Sequence, residues 1–305
     1  GADAVKFQSY KADSIASKDS PAYWDTSKEK TLSQHELFKK YDKFWKKEFI
    51  ELKKYCDSVK IEFMSTPFDI ESANFLNELM NVFKISSSDI TNKPFIELIS
   101  SFKKPIILST GASNIEEIKN AINWIKPNNN DTILLHCILN YPTDDQNANL
   151  GMLLGLKEVF PEFLIGYSDH TLPSDMKVME MASLIGCSII EKHFTHDKSL
   201  PGNDHYHSMD MNDLKRYFDL ISRIENIYGS KAKNYIESEE ISRLNARRSL
   251  VFNENIKKNT VISKKHLTFK RPANGVSPSE IDRVIGLRAS RDIFEDEILQ
   301  WNMLH

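Results

Sequence analysis

Short apolar, β-branched runs recur along the chain, and each of them ends in small or polar residues. Runs of this kind are typical of strands that are covered on both faces. The pattern predicts seven buried strands, at residues 4–8, 61–67, 82–89, 105–111, 132–137, 164–170 and 188–195.

Most of the segments between these runs have the spacing of amphipathic helices. Ser113 and Glu116 are spaced as a capping box, which predicts a helix start there, and Pro127 ends that helix. Residues 210–228 carry an apolar stripe that is followed by Gly229 as a C-cap. In an earlier segment the apolar residues alternate at intervals of four and three and share one helix face: Trp45, Phe49, Leu52, Cys56 and Val59.

Continuous apolar strands that alternate with amphipathic helices predict a parallel sheet covered by helices. Seven such strands with polar ends indicate a TIM (β/α)8 barrel whose first strand and helix would lie before Gly1. A doubly wound open sheet is the structural alternative. No GxGxxG or P-loop glycine pattern follows any of the strands, so the barrel is favoured.

The pattern also divides the chain into domains. Residues 1–229 are predicted to form the barrel, residues 230–247 are polar and are interpreted as a linker, and residues 248–305 are predicted to form a small second domain. The second domain carries a faint internal repeat, in which two triplets have the same spacing: Ile256, Ile262, Leu267 and Ile293, Leu299, Leu304.

Composition adds limits on partners and location. The 305 residues include 40 basic and 43 acidic ones, a net charge of -3 that implies no general attraction to nucleic acid or to an anionic membrane. The three cysteines share no CxxC spacing, which is typical of a reduced protein. No apolar run approaches the roughly 20 residues of a membrane span, so the sequence predicts a cytoplasmic protein.

Reacting groups of a barrel enzyme sit at the C-terminal ends of the strands, where the loops converge. Hydroxyls with a few lysines suit a phosphorylated, doubly anionic small molecule such as phosphoenolpyruvate. The strand ends supply a dense polar ring: Lys6, Gln8, Ser65, Thr66, Ser87, Asp89, Ser109, Thr110, His136, Ser168, Asp169, His170, Lys192 and His193.

Two histidines of this ring are candidate metal ligands. His170 and His193 end neighbouring strands, so their imidazoles are expected to converge on one divalent ion with open positions for water and substrate. The alternative is that each histidine only forms hydrogen bonds in the barrel mouth. The polar and aromatic loop 201–207 follows the last strand and is expected to lie over the same site.

Several ordered motifs resemble a known family. GADAVKFQ, MSTPFD, FKISSSD, PIILSTGAS, LLHCILNYPT, IGYSDHT and IIEKHFTHD, followed by PGNDH, are similar in order and spacing to the strand ends of bacterial sialic acid synthases. KRPANGVSP resembles the antifreeze-like (SAF) domain of those enzymes. The resemblance implies that phosphoenolpyruvate is condensed with N-acetylmannosamine or a related N-acylated sugar to a nine-carbon α-keto acid, N-acetylneuraminate, with release of phosphate.

The resemblance also implies roles for individual residues. His170 and His193 would hold the divalent metal, Mn²⁺ or else Mg²⁺ or Co²⁺. Gln8 would also bind substrate. Phosphoenolpyruvate would be bound by a set of hydroxyls and amines: Lys6, Thr66, Lys84, Ser87, Ser109 and Ser168.

Further roles concern the sugar and the assembly. Asp204 and Tyr141 would orient sugar hydroxyls, and Asp89 would take part in proton handling. Arg271 would reach into the barrel of a partner subunit and contact the sugar, which predicts a domain-swapped homodimer.

The chain also departs from the family pattern. Ile138 and Leu139 stand where the family has a threonine and a polar residue. Three alternative functions stay open: a legionaminic or pseudaminic acid synthase that uses a diacetamido sugar, a metal-independent Schiff-base aldolase that uses Lys84 or Lys192, and a non-catalytic sugar-binding relative.

Overall fold

A computed structural model describes residues 1–128 and 131–305 of the chain. Two compact units are present, Gly1–Tyr228 and Gly229–His305. Within the described ranges, every helix is too short or too polar to cross a membrane.

The first unit contains the seven predicted strands, all parallel to their neighbours. Strand β1 pairs with β2, and strands β3 to β7 form one sheet in chain order. Several strands are shorter than predicted, most of all the third and the last. Their bounds are Ala4–Ser9 (β1), Glu62–Pro67 (β2), Phe83–Ile85 (β3), Ile106–Ser109 (β4), Thr132–Cys137 (β5), Leu164–Asp169 (β6) and Ile190–Lys192 (β7).

The sheet is curled. Lys6 of β1 lies 3.5 Å from Glu191 of β7, measured from Nζ to Oε2, so the first and last strands line the same interior. Parallel order, helical connections and this curvature together give the predicted TIM-barrel class of α/β fold.

Helices connect the strands and cover the outer face of the sheet. In α3, Phe49 and Cys56 of the predicted apolar face are buried, whereas Val59 at the end of the helix is exposed. The helices of this unit are Ala12–Ile15 (α1), Gln34–Tyr41 (α2), Lys46–Val59 (α3), Ile70–Asn77 (α4), Lys93–Ser101 (α5), Ile115–Ile125 (α6), Gly151–Val159 (α7), Lys177–Ile185 (α8) and Met211–Tyr228 (α9).

The start of α6 differs from its predicted position by one residue. The capping box is formed by Asn114 and Glu117, whose side chains each accept a hydrogen bond from the other residue's backbone N–H. Ser113, the predicted cap, instead donates its hydroxyl to the carbonyl oxygen of Thr110, 2.6 Å away. The predicted Ser113–Glu116 box is therefore wrong.

The second unit contains two more helices, Glu240–Ala246 (α10) and Ile281–Val284 (α11), and an antiparallel pair of strands, Ser249–Phe252 (β8) and Leu267–Lys270 (β9). Helix α10 lies inside the segment predicted as a linker. Ile256 and Ile293, the first members of the repeated triplets, exchange two backbone hydrogen bonds of 2.8 Å. The unit has its own apolar core around Leu250 and Leu299.

Candidate active site

A cavity with about 370 Å³ of empty volume lies at the C-terminal ends of the barrel strands. Its wall combines amines, hydroxyls, two imidazoles and one carboxylate. The lining residues are Lys6, Gln8, Thr66, Phe68, Lys84, Ser86, Ser87, Ser109, Cys137, Leu139, Tyr141, Ser168, His170, Glu191 and His193.

The alternation of strand side chains decides which residues face this cavity. Ser168 of β6 and His170 just after it point inward, as do Glu191 of β7 and His193 just after that strand. Asp169, which lies between the first two, points to the other side of the sheet. There it meets its register partner on β7, Lys192.

Two lysines share the carboxylate of Glu191 at the cavity floor. Lys6 Nζ lies 3.5 Å from Oε2, and Lys84 Nζ lies 3.7 Å from Oε1. Ser168 donates its hydroxyl to Oε1 at 2.8 Å, and Lys84 donates to Ser109 Oγ at 2.7 Å. The floor therefore carries one more positive than negative charge when all three groups are ionised.

These contacts shift the pKa of two groups. Burial acts to raise the pKa of Glu191, but the charges of Lys6 and Lys84 outweigh it and hold that pKa at about 2. Burial lowers the pKa of Lys84 to about 8, although Glu191 acts in the opposite direction. Both groups are thus mostly charged at pH 7, and the Lys84 ammonium can bind an anion without prior proton transfer.

The remaining predicted anion-binding residues surround this floor. Thr66 accepts a hydrogen bond from Lys6 Nζ at 3.4 Å. Ser87 Oγ accepts one from the backbone N–H of Gly111 at 2.9 Å, which leaves its hydroxyl proton to donate elsewhere. Gln8 is exposed at the rim.

The two predicted metal ligands lie side by side. The ring centroids of His170 and His193 are 5.2 Å apart. His170 Nδ1 donates to the carbonyl oxygen of Ile138 at 2.8 Å, which leaves Nε2 with a free lone pair. Metal-binding histidines commonly donate their second ring nitrogen to a carbonyl in this way. Tyr141 packs against His170 at a centroid distance of 4.2 Å.

The loop after β7 brings further donors to His193. Atoms of His193, Asp204 and His207 that can bind a metal lie within 4.8 Å of one another. Burial lowers the pKa of His193 to about 4, to which His170 and His207 contribute, so this ring is neutral at pH 7 and offers a lone pair. Imidazoles with a carboxylate are a donor set that fits a first-row divalent ion.

Gly202 shapes this loop. Its φ angle is +125°, and a Cβ atom there would lie 2.8 Å from the Tyr41 hydroxyl oxygen. Only glycine adopts this conformation readily, so the chain can turn here and bring Asp204 back over β7.

Other residues of the predicted ring face away from the cavity. His136 Nε2 donates to the carbonyl oxygen of Ala148, and burial lowers the pKa of this ring. Ser65 pairs with Ser9, and Thr110 donates to Leu135 O.

Asp89 and Asp204, both predicted site residues, are outside the set of residues that line the cavity. Asp89 accepts a hydrogen bond from Asn92 and lies outside the lining set, and burial raises its pKa. Arg271 is exposed in the second unit, directly after β9, and its contact with the barrel of a partner subunit stays a prediction.

Sequence reasoning missed Glu191 and His207. Glu191 had a usable signal, since an acidic residue two positions before His193 in a barrel strand shares its face. His207 lies in a loop, where no periodicity indicates which side chains turn inward.

Comparison with known proteins decides the family. Residues 1–233 match the model of the NeuB family, and residues 247–305 match that of the SAF domain. The chain belongs to the NeuB family. This NeuB chain is 38% identical, over 99% of its length and 86% of the relative, to N,N'-diacetyllegionaminic acid synthase of Legionella pneumophila. It is 40% identical to an uncharacterized protein of Methanocaldococcus jannaschii, over 100% and 86% of the two chains.

A solved structure supports the same assignment. The crystal structure of N-acetylneuraminic acid synthetase from Leptospira borgpetersenii, in complex with citrate, superposes with a TM-score of 0.69 at 33% identity. The match covers 79% of each chain. The family resemblance and the SAF domain inferred from the sequence motifs are thereby confirmed.

Proposed function

We propose that this NeuB chain condenses phosphoenolpyruvate with an N-acylated sugar to a nine-carbon α-keto acid and releases phosphate, in a reaction that needs a divalent metal. The single observation that carries the proposal is the cavity floor, where Lys6 and Lys84 stand beside the His170 and His193 pair. An anion pocket next to a set of metal donors is what such a condensation requires.

The floor residues have a defined task in this proposal. The ammonium groups of Lys6 and Lys84 would neutralise the phosphate and carboxylate of phosphoenolpyruvate, and nearby hydroxyls would order its oxygens. Glu191 keeps both ammonium groups in place before the anion arrives. The substrate would thus enter a pocket that is already organised, which lowers the cost of binding.

The metal part of the proposal rests on the imidazoles. His170 and His193 would hold the ion, most simply Mn²⁺, with Mg²⁺ or Co²⁺ as substitutes. A bound divalent ion acts as a Lewis acid that polarises a carbonyl oxygen, here that of the sugar aldehyde. Tyr141 packs on His170 and restricts its ring, so the two imidazoles keep their mutual orientation.

The sugar is either N-acetylmannosamine or a diacetamido sugar. The 38% identity to an N,N'-diacetyllegionaminic acid synthase favours the diacetamido sugar. Leu139, which lines the cavity in place of a polar residue, is one side chain that would contact a different substituent. Asp204 and Tyr141 remain the residues proposed to orient sugar hydroxyls.

The test is a substrate panel. Purified protein with phosphoenolpyruvate, Mn²⁺ and each sugar in turn is expected to release phosphate with one of them, and EDTA is expected to abolish the release. Lys6→Met should raise the KM for phosphoenolpyruvate, while Lys119→Met on the exposed face of α6 should not. Phosphate release that is independent of every sugar and of metal would refute the proposal.

One further prediction accompanies this function, and one alternative to it can be tested. The domain-swapped homodimer in which Arg271 contacts the partner's sugar is checked by mixing Arg271→Ala with a barrel-site variant, because mixed dimers would regain part of their activity. A non-catalytic sugar-binding relative would instead bind the sugar tightly without turnover of any panel member.

A further inference from the structure

His207 is a buried histidine whose hydrogen-bonding capacity is unused. Its side chain has no solvent exposure, and neither Nδ1 nor Nε2 has a hydrogen-bond partner. A buried polar group without a partner costs free energy, so such a group in a folded protein calls for a missing partner. Both ring nitrogens of this residue are in that state.

The neighbours of His207 are metal-binding groups. Its ring centroid lies 5.2 Å from that of His193. Asp204 lies between the two rings, with Oδ1 3.5 Å from His207 Nε2 and Oδ2 3.7 Å from His193 Nδ1. These separations are long for hydrogen bonds, but they leave room for an ion among the three groups.

The spacing agrees with a shared ion. One potential ligand atom from each of His193, Asp204 and His207 lies within 4.8 Å of the other two. Ligand atoms that each lie about 2.1 Å from one ion are at most about 4.2 Å apart, so adjustments of roughly half an ångström would close the site.

The backbone fixes His207 in this position. Thr195 N donates to Met209 O at 2.8 Å, and Met209 N donates to His193 O at 2.9 Å, so the segment after His207 runs beside the end of β7. Ser208 Oγ donates to Asp204 O at 2.6 Å and closes the turn that carries both side chains. The imidazole is therefore held beside His193 before any ion binds.

We propose that His207 is a ligand of the divalent ion held by His193, and that Asp204 supplies the carboxylate of the same site. The inference rests on the proposed function, because it concerns the same ion. It adds an imidazole and a carboxylate to the proposed His170 and His193 pair. His170 lies outside the group of three whose ligand atoms come within 4.8 Å of one another, and its ring centroid is 5.2 Å from that of His193, so it would shift toward the shared ion. First-row ions such as Mn²⁺, Co²⁺ and Zn²⁺ accept these donors.

The test measures Mn²⁺ binding to the metal-free full chain, without substrates or turnover. Free Mn²⁺ is followed by its electron paramagnetic resonance signal, and bound histidine nitrogens are counted by electron spin echo modulation in protein labelled with ¹⁵N-histidine. His207→Leu replaces the imidazole by an apolar side chain of similar bulk. His196→Ala, which removes an exposed histidine that also follows β7, is the matched control.

We expect three histidine nitrogens on Mn²⁺ in the unaltered protein. His207→Leu should remove one of them and raise the Kd for Mn²⁺ by about tenfold or more, while His196→Ala should change neither quantity. The nitrogen count in the unaltered protein tests the proposal even if His207→Leu fails to fold.

Two results would overturn the assignment, and they separate it from the proposed function. If the protein binds Mn²⁺ through two histidine nitrogens and His207→Leu binds it equally well, His207 is not a ligand and the proposed synthase function stands. If the unaltered protein binds no Mn²⁺, both the ligand role of His207 and the metal dependence of the proposed function are wrong.

Discussion

Lys192 Nζ lies 2.5 Å from Asp169 Oδ2, and each side chain is only 1% exposed. The two residues face each other in the register of β6 and β7, one position before His170 and His193. Asp169 also accepts hydrogen bonds from the Tyr167 hydroxyl and the Thr171 backbone N–H. This buried pair joins the ends of the two strands that carry the proposed metal ligands.

Removal of Lys192 should therefore be costly. Lys192→Met leaves the Asp169 carboxylate buried without its cation, and we expect a loss of about 3–5 kcal/mol in the free energy of unfolding, measured in urea. Lys46→Met, which breaks an exposed pair with Glu71, should cost less than about 1 kcal/mol. Equal losses for the two variants would show that the buried pair does not join the strands as described.

The same geometry argues against a Schiff-base mechanism. The amine of Lys192 is bound to Asp169, and Lys84 Nζ donates to Ser109 while Glu191 keeps it charged. We expect borohydride treatment in the presence of phosphoenolpyruvate and sugar to leave the mass of the protein unchanged. A reduced adduct on Lys84, together with activity that survives EDTA, would favour the aldolase alternative.

Phosphoenolpyruvate capture should depend on the protonation of Lys84. The pKa of this amine is about 8, so the cation is present below that pH and is lost as the pH rises through it. Because kcat/KM reports the free enzyme, kcat/KM for phosphoenolpyruvate should fall above about pH 8. Lys84→Arg keeps its positive charge well above pH 8. This variant should therefore show no fall of kcat/KM above about pH 8, even if its maximal kcat/KM is lower.

A pH profile from 6 to 10 at saturating sugar would measure this effect. A profile of the unaltered protein that is flat through pH 9, or an unchanged fall in Lys84→Arg, would mean that Lys84 does not bind the substrate anion.

The cap of α6 offers a test of local structure. Asn114→Ala removes a side chain that accepts from the Glu117 backbone N–H, and we expect a loss of about 1 kcal/mol in unfolding free energy. Ser113→Ala removes only a hydroxyl bonded to Thr110 O and should cost less, within about 0.5 kcal/mol. A larger loss for Ser113→Ala than for Asn114→Ala would instead show that Ser113 caps the helix, as the sequence predicts.

The cap shows where sequence reasoning reaches its limit. Ser113 with Glu116 and Asn114 with Glu117 both have capping-box spacing, and only the tertiary position of the chain selects the second pair. The strands were predictable because their residues are largely apolar on both faces, as at the adjacent Ile106 and Ile107 of β4. Such continuous apolar runs identify the strands even where the exact residue at which a strand ends is not predicted.

The site residues, too, were predictable from the sequence only in part. Strand-end position alone predicted Lys6, Ser168, His170 and His193 in the cavity, because parallel strands all end at one face. It could not separate inward from outward neighbours, so Asp169 was grouped with His170 although it faces the helices. Loop residues such as His207 need a backbone path, which the sequence pattern does not contain.

Formation of a carbon–carbon bond between phosphoenolpyruvate and a sugar by this NeuB chain can be measured directly with labelled substrates. Phosphoenolpyruvate labelled with ¹³C at C3 and sugar labelled with ¹³C at C1 should, with Mn²⁺, give a product whose two labels show one-bond coupling in the NMR spectrum. His193→Ala should give none of this product while its circular dichroism is unchanged. Phosphate release with the label recovered only in pyruvate, and no coupling with any sugar of the panel, would contradict the account.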